Sequence, residues 1–201
     1  GTLNTYYPSG KGLAKSVEAL KLSTPLALSG FKFSNAPAGQ IPTLNNQSVY
    51  AIDPKYENKV QYNKYDTRGN LLEQQKANDV KEVYLWGYKG QYPVVKVIGS
   101  DLATVLSIAS VDTSVLNNGT PAQIQAQLTL IRNHFSSTAV QVSTYMYKPL
   151  IGISSETDPT GKTILYEYDS FGRLNFIKDE QGNILKKFCY NYMGQVVDCN
   201  Q

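Results

Sequence analysis

A tetrapeptide of the form Asp-x-x-Gly recurs at short, nearly regular intervals in this chain of 201 residues. Its three copies stand at 158–161, 169–172 and 179–182. Aspartate opens a turn because its carboxylate accepts a hydrogen bond from a backbone N–H two residues on, and glycine closes the turn because it tolerates a positive φ. The intervening segments are rich in Tyr, Ile, Leu and Phe and have the length of ordinary strands. Connections this short force neighbouring strands to run antiparallel, so the sequence predicts a β-meander.

The chain also contains an internal repeat on a longer scale. Residues 65–71 (Tyr-Asp-Thr-Arg-Gly-Asn-Leu) recur as residues 168–174 (Tyr-Asp-Ser-Phe-Gly-Arg-Leu). Downstream, residues 86–91 (Trp-Gly-Tyr-Lys-Gly-Gln) recur as residues 190–195 (Tyr-Asn-Tyr-Met-Gly-Gln). The sequence therefore predicts two copies of one β unit with a different segment between them.

The segment between the two copies carries helix signals. Ser100 or Asp101 can cap a short first helix. The apolar residues on one face of this helix are Leu102, Val105, Leu106 and Ala109. A turn is predicted at Asn117-Asn118-Gly119. A second helix begins after Thr120, which is a good N-cap because Pro121 follows at the first helical position and Gln123 completes a capping box. The apolar stripe of the second helix consists of Ile124, Leu128, Ile131 and Phe135. We expect both helices to cover one face of the sheet.

Aromatic residues recur two positions apart, which puts both rings on one face of a strand. These pairs are Trp86/Tyr88, Tyr145/Tyr147, Tyr166/Tyr168 and Tyr190/Tyr192. Rings on neighbouring strands stabilise a sheet, so the pairs fit a structural role. The alternative is glycan binding, in which exposed rings stack on sugar faces. The residues that would do so are Trp86, Tyr88, Tyr145, Tyr147, Tyr190 and Tyr192.

The Tyr-Asp-x-x-Gly-Arg-Leu segment, followed by a second Asp-x-x-Gly about ten residues on, resembles the YD repeat of the RHS (rearrangement hot spot) family. The residues that carry the resemblance are Tyr65, Asp66, Gly69, Leu71, Tyr168, Asp169, Gly172, Arg173, Leu174, Asp179 and Gly182. The first copy departs from the pattern, because Asn70 replaces the arginine and Asn78-Asp79-Val80 replaces the second Asp-x-x-Gly. The resemblance covers residues 58–99 and 139–195.

Members of this family are very large bacterial secreted or cell-surface proteins. The resemblance implies repeating β-hairpins that coil into a long sheet, which forms a hollow shell in full-length members. It also implies neighbouring repeats of a parent protein as partners, and in some members an enclosed effector domain. Carbohydrate binding has been proposed for such repeats. This chain holds too few repeat strands to close a shell.

A catalytic site is not expected. The carboxylates Asp158, Asp169 and Asp179 recur at regular intervals, as acid/base pairs for glycoside cleavage would require, but their turn positions explain them. Cys189 has no base beside it, because the single histidine, His134, lies at the end of the second helix, where it suits the helix dipole. One histidine and two cysteines cannot supply a four-ligand zinc site. We therefore expect no enzyme, cofactor or metal.

The charge is low and nearly balanced, with 19 basic and 16 acidic residues, which argues against disorder and against nucleic-acid binding. No apolar run reaches the length of a membrane span, so direct membrane insertion is not expected. The 15 tyrosines in a charge-poor chain are typical of an extracytoplasmic β protein, at the cell surface or secreted.

Two interpretations of the cysteines stay open. If Met193-Gly194 is the turn of a terminal hairpin, Cys189 and Cys199 lie at equal distances from residue 194 and can face each other as a disulfide. Two free thiols are the alternative.

The predicted fold is mainly β (α+β): an antiparallel YD-type hairpin meander with a two-helix insert packed on the sheet. The expected regions are an N-terminal loop and strand region (1–57), a first β unit (58–99), the two-helix insert (100–138) and a second β unit (139–201), with 58–201 as one compact domain. The predicted function is a non-catalytic scaffold segment of a large RHS-type surface or secreted protein. The alternative is a carbohydrate-binding module.

Overall fold

The computed structural model describes residues 1–25, 27–31 and 53–199. Within these ranges the chain forms thirteen strands, three α-helices and a 3-10 helix at Leu28–Gly30. The strands are β1 (Thr2–Tyr6), β2 (Ala14–Leu20), β3 (Tyr56–Tyr65), β4 (Leu71–Lys76), β5 (Lys81–Gly87), β6 (Tyr92–Ile98), β7 (Gln141–Lys148), β8 (Gly152–Thr157), β9 (Thr163–Tyr168), β10 (Leu174–Asp179), β11 (Ile184–Lys187), β12 (Cys189–Tyr190) and β13 (Val196–Val197). The helices are α1 (Leu102–Leu106), α2 (Thr113–Asn118) and α3 (Pro121–Phe135).

Strands β1 to β11 form one antiparallel sheet in which the spatial order equals the order in the chain. This arrangement confirms the predicted mainly β fold with a helical insert. Within the described ranges, strands β12 and β13 pair only with each other. Strand β11 ends at Lys187, and the Phe188 N–H adds one more bond in the same register by donating to the Asn175 carbonyl of β10 at 2.9 Å. The chain beyond this residue forms the separate hairpin instead of extending β11.

Alternation of side chains fixes which face of the sheet is buried. In β5, Val83 and Leu85 are buried, while the residues between them are only half-buried. Val83 pairs with Val97 of β6, and Val97 in turn pairs with Val142 of β7, so three strands present one continuous apolar face. Apolar residues on the same face of neighbouring strands leave water together, which holds the register of this region.

The insert lies between β6 and β7 and contains three helical segments where the sequence predicts two. The Asp101 side chain caps α1 by accepting from the Thr104 N–H. The α3 helix starts with the predicted capping box of Thr120 and Gln123 and has Pro121 in its first turn. The predicted turn at residues 117–119 is wrong, because Asn117 and Asn118 form the last turn of α2.

Helix α3 supplies most of the cover of the sheet. Its buried residues are the predicted stripe: Ile124, Leu128, Ile131 and Phe135. Together with Leu116 of α2 and Val105 of α1, they form one core with the apolar face of β5, β6 and β7. Packing of an amphipathic helix on a sheet buries the apolar surface that neither element can bury alone.

The chain forms two compact units. Unit one comprises Gly1–Asn63 and Gln74–Asp79, and unit two comprises Lys64–Glu73 and Val80–Gln201. In unit one, β2 pairs with β1 and β3. Much of the predicted loop-like segment within 1–57, residues 32–52, lies outside the described residues. The predicted domain boundaries stay a prediction.

Candidate interaction site

The turn between β9 and β10 is built around Asp169. Its N–H donates to the Arg173 carbonyl at 2.9 Å, and the Gly172 N–H donates to the Asp169 carbonyl at 3.0 Å. The Asp169 carboxylate Oδ1 accepts from the N–H groups of Phe171 and Arg173 at 2.9 and 3.0 Å. Tyr168 ends one strand and Leu174 begins the next. Each residue of the Tyr-Asp-x-x-Gly-Arg-Leu motif therefore has a defined position in the hairpin.

The same four hydrogen bonds recur in four other turns. In each, the side-chain oxygen of the first residue accepts from the N–H groups two and four residues on. These turns span 66–70, 158–162, 179–183 and 191–195. The last begins with Asn191, whose amide oxygen takes the place of the carboxylate oxygen. This turn does not fit the Asp-x-x-Gly pattern, although asparagine opens such turns by the same mechanism.

In four of these turns, the residue after the glycine makes a side-chain bond to the first residue; in the 191–195 turn, Asn191 Nδ2 donates to Gln195 Oε1 at 3.0 Å. Arg173 donates from Nε and Nη2 to Asp169 Oδ2, both at 2.7 Å. Asn70 and Asn183 donate from Nδ2 to the corresponding oxygens of Asp66 and Asp179, at 2.9 and 2.8 Å. Asn70 departs from the arginine of the sequence motif, yet it makes the equivalent bond. The side chain at this position thus locks the carboxylate that opens the turn.

These bonds hold the turn carboxylates in the ionised form. Hydrogen bonding lowers the pKa of Asp158, chiefly through the Thr160 side chain, and that of Asp179, chiefly through the Asn183 side chain. At Asp169, desolvation opposes ionisation, but the backbone and side-chain bonds from Arg173 outweigh it, so its pKa is also lowered. A general acid needs a raised pKa instead. The three carboxylates are suited to holding turns.

The two copies of the β unit share a bond between a ring and a backbone carbonyl. In the first copy, Trp86 Nε1–H donates to the Leu71 carbonyl at 2.8 Å. In the second, the Tyr190 hydroxyl donates to the Leu174 carbonyl at 2.6 Å. Both rings therefore anchor to the residue that follows the Asp-x-x-Gly turn, as the internal repeat of the sequence implies.

Only two of the four aromatic pairs lie within a single strand, where side-chain alternation places both rings on one face. Tyr166 and Tyr168 lie within β9, and Tyr145 and Tyr147 lie within β7. Strand β5 ends at Gly87, and Tyr88 has a φ of 51°, so the prediction of a shared face through strand alternation does not apply to Trp86 and Tyr88. It does not apply to Tyr190 and Tyr192 either, because β12 ends at Tyr190 and Tyr192 lies in the following turn.

Two of the predicted glycan-stacking rings, Tyr88 and Tyr147, pack on each other and on Tyr92. The Tyr92 and Tyr147 rings stack with centroids 4.6 Å apart, and the Tyr88 ring meets both edge-on. The Tyr88 hydroxyl accepts from the Tyr147 N–H at 3.0 Å. Burial raises the pKa of Tyr147 to about 12. These rings contribute to the packing of unit two.

A cleft of about 560 Å³ opens beside the terminal hairpin. It is lined by Phe171, Arg173, Tyr190, Asn191, Tyr192, Met193 and Gly194. The Arg173 guanidinium carbon lies 4.4 Å from the centroid of the Tyr190 ring and 5.1 Å from that of Phe171. Tyr192 is 97% exposed and Phe171 is 82% exposed. The exposed rings of Phe171 and Tyr192 thus line the same cleft as the Arg173 guanidinium, which Asp169 holds in place.

Residues 152–186 match the RHS Repeat family. The chain contains an RHS repeat. The matched segment covers β8, β9 and β10 and the turns at Asp158, Asp169 and Asp179, so the RHS repeat is the hairpin unit described above.

The fold is similar to that of much larger solved chains. One is TcdB2-TccC3 without hypervariable C-terminal region, with a TM-score of 0.50, 12% identity, and coverage of 98% of this chain and 8% of that chain. A second match, TcdB2-TccC3-TEV, has 12% identity and the same coverages of 98% and 8%, but its TM-score of 0.36 adds nothing to the fold likeness. No curated protein matches the sequence. At this identity the likeness concerns the fold alone, and the chain spans about 8% of the length of these solved chains.

Directly after the RHS repeat, a disulfide joins Cys189 and Cys199, whose Cα atoms are 5.1 Å apart. The register differs from the expected one, because Cys189 pairs across the hairpin with Val197. The reason is the Asn191 turn, which centres the hairpin on residue 193. The disulfide therefore joins Cys189 to a residue beyond the end of β13.

Arg132 is a residue that sequence reasoning misses. From α3, its Nη1 donates to the Val142 carbonyl at 2.6 Å and its Nη2 to the Asp158 carbonyl at 2.8 Å. Burial lowers the pKa of Arg132. The helix is thereby tied to β7 and to the first turn of the RHS repeat. Its neighbour His134, the chain's single histidine, packs edge-on against Phe135.

Among residues 1–25, 27–31 and 53–199, no group of three or more His, Cys, Asp or Glu side chains is arranged to hold a metal ion. None of the helices that the structure describes has the length and hydropathy required to cross a bilayer.

We expect Gly172→Ala to lower the free energy of unfolding by about 1 kcal/mol, because Gly172 has a φ of 75° that a Cβ disfavours. The neighbouring Ile151 side chain is 3.9 Å from the position of such a Cβ, so the effect comes from the backbone. Urea denaturation of both proteins measures it. Gly172→Asn is the matched control and should lose less, since asparagine tolerates this conformation. Equal stability of the Gly172→Ala variant and the unsubstituted chain would contradict the left-handed backbone conformation of Gly172.

We expect the free energy of unfolding to fall as the pH drops below the ordinary aspartate value of 3.8. The folded-state pKa of Asp179 is lower than this value, so its contribution is complete above 3.8 and is lost as the pH falls through the folded pKa. Urea titrations at several pH values between 5 and 2.5 measure the slope. Asp179→Asn should keep the turn, as Asn191 does in its own turn, and reduce the slope. An unchanged slope would show that Asp179 does not contribute.

Proposed function

We propose that this chain is a non-catalytic scaffold segment of a larger RHS-repeat protein located at the cell surface or secreted. The observation that carries the proposal is the set of five turns with identical hydrogen bonding. Four of them connect neighbouring strands of the large sheet, whose strands follow chain order, and the fifth closes the β12–β13 hairpin. Because the same turn recurs along the chain, a sheet can be extended by adding further copies of the same hairpin unit.

The state of the polar groups supports a structural role. The carboxylates of Asp158, Asp169 and Asp179 are occupied by turn N–H groups. The disulfide between Cys189 and Cys199 suits an oxidising environment outside the cytoplasm. The first proposed partners are neighbouring repeats. The second proposed partner is an effector domain enclosed by the complete protein.

The last strand of the sheet is the proposed joint to a neighbouring repeat. Strand β11 pairs with β10 on one side and is the terminal strand in the order of the sheet. Its side chains Ile184 and Leu185 are exposed. An edge strand of this kind presents backbone groups that can pair with another strand.

Amide hydrogen exchange tests the scaffold role. We expect amides of β9 and β10 to exchange slowly both in the 201-residue chain and in the natural protein from which it comes. Amides of β11 should exchange slowly only in the natural protein, where the next strand pairs with them. The chain should also show no hydrolytic activity toward glycosides. Rapid exchange of β9 and β10, or equal exchange of β11 in both proteins, would refute the proposal.

A second candidate function is carbohydrate binding at the cleft beside the terminal hairpin. The exposed rings of Phe171 and Tyr192 favour it, since stacking on a sugar needs an uncovered ring face. Isothermal titration with glycans selected on an array tests it. Tyr192→Ala and Phe171→Ala should each abolish the heat of binding, whereas Tyr6→Ala, which removes an exposed ring elsewhere, should not. An array without hits would refute this function.

A further inference from the structure

Five turns of unit two lie at the same end of the sheet. Successive strands alternate in direction, so every second connection returns to one end. The connections at this end are 66–70, 88–91, 149–151, 169–172 and 191–194, and we call them the turn rim. The last belongs to the separate hairpin, which the bond from Tyr190 to Leu174 holds beside β10. The turns 158–162 and 179–183 lie at the opposite end.

The most exposed large apolar side chains of the described residues cluster on the turn rim. Besides Tyr192 and Phe171, the turn rim carries Leu150, which is 93% exposed, and Met193, which is 66% exposed. Ile151 connects them, because it lies beside Gly172. The opposite turns carry polar tips, such as Thr160 and Gln181. A row of exposed apolar side chains on one end of a sheet is typical of an interface.

Leu150 is the least expected member of the row. Its φ of 67° lies in the left-handed region, which disfavours leucine and favours glycine or asparagine. Its side chain buries little surface against the residues that the structure describes, because it is almost fully exposed. Neither the backbone conformation nor packing among the described residues favours a leucine here, whereas contact with a further surface would.

The first copy of the β unit shows what covers such a turn. The Tyr88 N–H donates to the Leu116 carbonyl and the Lys89 N–H to the Asn117 carbonyl, both at 3.0 Å. The last turn of α2 thus sits on the turn that follows Trp86. The corresponding turn of the second copy, residues 191–194, has no such helix on it among the described residues, and Tyr192 and Met193 stay exposed.

We propose that the turn rim from Leu150 to Met193 is the docking surface for a helix of the parent protein outside residues 1–201. This helix would lie on the 191–194 turn, as α2 lies on the 88–91 turn, but through apolar contacts, because the Met193 N–H already donates to Asn191 Oδ1 at 3.0 Å. The inference rests on the proposed scaffold function. It adds a second contact to the parent protein, at the turns, that is independent of strand pairing at β11.

Carbene footprinting by mass spectrometry tests the docking surface. The 201-residue chain and the natural protein are labelled in parallel at matched low concentration. Labelling of Tyr192, Phe171 and Leu150 should fall about tenfold in the natural protein, because residues at the centre of an interface are fully buried. Labelling of Leu106 and Leu130, which are exposed on the helical insert, should not change.

The outcomes separate the inference from the scaffold proposal. Protection of β11 amides without a fall in rim labelling overturns the docking surface and leaves the scaffold role standing. A lack of change at both places overturns both. A fall in rim labelling in the 201-residue chain alone, as its concentration rises, makes a second copy the occupant and also overturns the proposed helix. The proposed helix is also overturned if rim labelling falls only in the natural protein but the rim cross-links to a segment that is not helical.

Leu150→Asn supplies a second readout. Asparagine tolerates the left-handed backbone conformation. In the 201-residue chain, the variant should therefore be at least as stable as the unsubstituted chain. In the natural protein, the same substitution should lower the melting temperature, because it removes an apolar contact. Lowered stability in both proteins would show that Leu150 acts within the chain and would overturn its place in the interface.

Discussion

Leu128→Ala should lower the free energy of unfolding by about 3–4 kcal/mol, the largest loss that we expect from a single substitution in this chain. Leu128 lies in the middle of α3 and is 1% exposed. It belongs to the stripe that packs on the buried face of β5, β6 and β7. Truncation leaves a cavity between a helix and a sheet that neighbouring side chains cannot fill without moving the helix. Urea denaturation followed by circular dichroism measures the loss.

Leu130→Ala is the matched control, because it makes the same chemical change two residues away on the same helix. Leu130 is 38% exposed, so truncation removes less buried surface and creates no enclosed cavity. The expected loss is below about 1 kcal/mol. If both variants lost similar stability, the helix would not be packed on the sheet as described, and the core of unit two would lie elsewhere.

The meander was predictable because its determinants are local. Each Asp-x-x-Gly turn is specified by two residues three positions apart, and its hydrogen bonds involve only five consecutive residues, as at Asp169–Arg173. The same holds for the start of α3, where Thr120 and Gln123 bond to each other's backbone N–H groups. Such devices act before any tertiary contact forms, so the sequence displays them directly.

Elements that depend on tertiary contacts were not predicted. Helix α2 has six residues, fewer than two turns, and therefore shows no apolar period; Leu116 becomes recognisable as a core residue only when β5 lies beneath it. The position of the terminal hairpin likewise depends on the bond of the Tyr190 hydroxyl to the Leu174 carbonyl on β10. In both cases the deciding partner is distant in the chain.

The candidate site was predicted only in part. The motif residues Asp169, Gly172 and Arg173 follow from the repeat, but the cleft around them forms because the chain returns at Tyr190 to place a ring on the arginine. Leu150 carried no signal in the sequence, since a leucine in a loop is ordinary until its φ and its exposure are known. Exposure of an apolar residue at a strained position is visible only in the folded chain.

Replacing both Cys189 and Cys199 by serine should lower the free energy of opening the terminal hairpin by about 2–3 kcal/mol. The hairpin has two pairs in its ladder, Cys189 with Val197 and Tyr190 with Val196, and it joins no larger sheet. A two-stranded hairpin of this size is at best marginally stable in water. The disulfide therefore supplies much of what holds Tyr190 against Arg173. In the first copy no such bond is needed, because Trp86 lies in a seven-residue strand within the large sheet.

Native-state hydrogen exchange of the Asn191 amide, which donates to the Gln195 carbonyl at 3.0 Å, measures this opening. In the double variant its exchange should accelerate about a hundredfold, the equivalent of 2–3 kcal/mol, while amides of β9 and β10 keep their rates. Reductant should give the unmodified chain the same rates and leave the double variant unchanged. Acceleration in β9 and β10 as well would mean that the hairpin folds together with the RHS repeat. In that case the disulfide would stabilise the whole of unit two and not only the cleft.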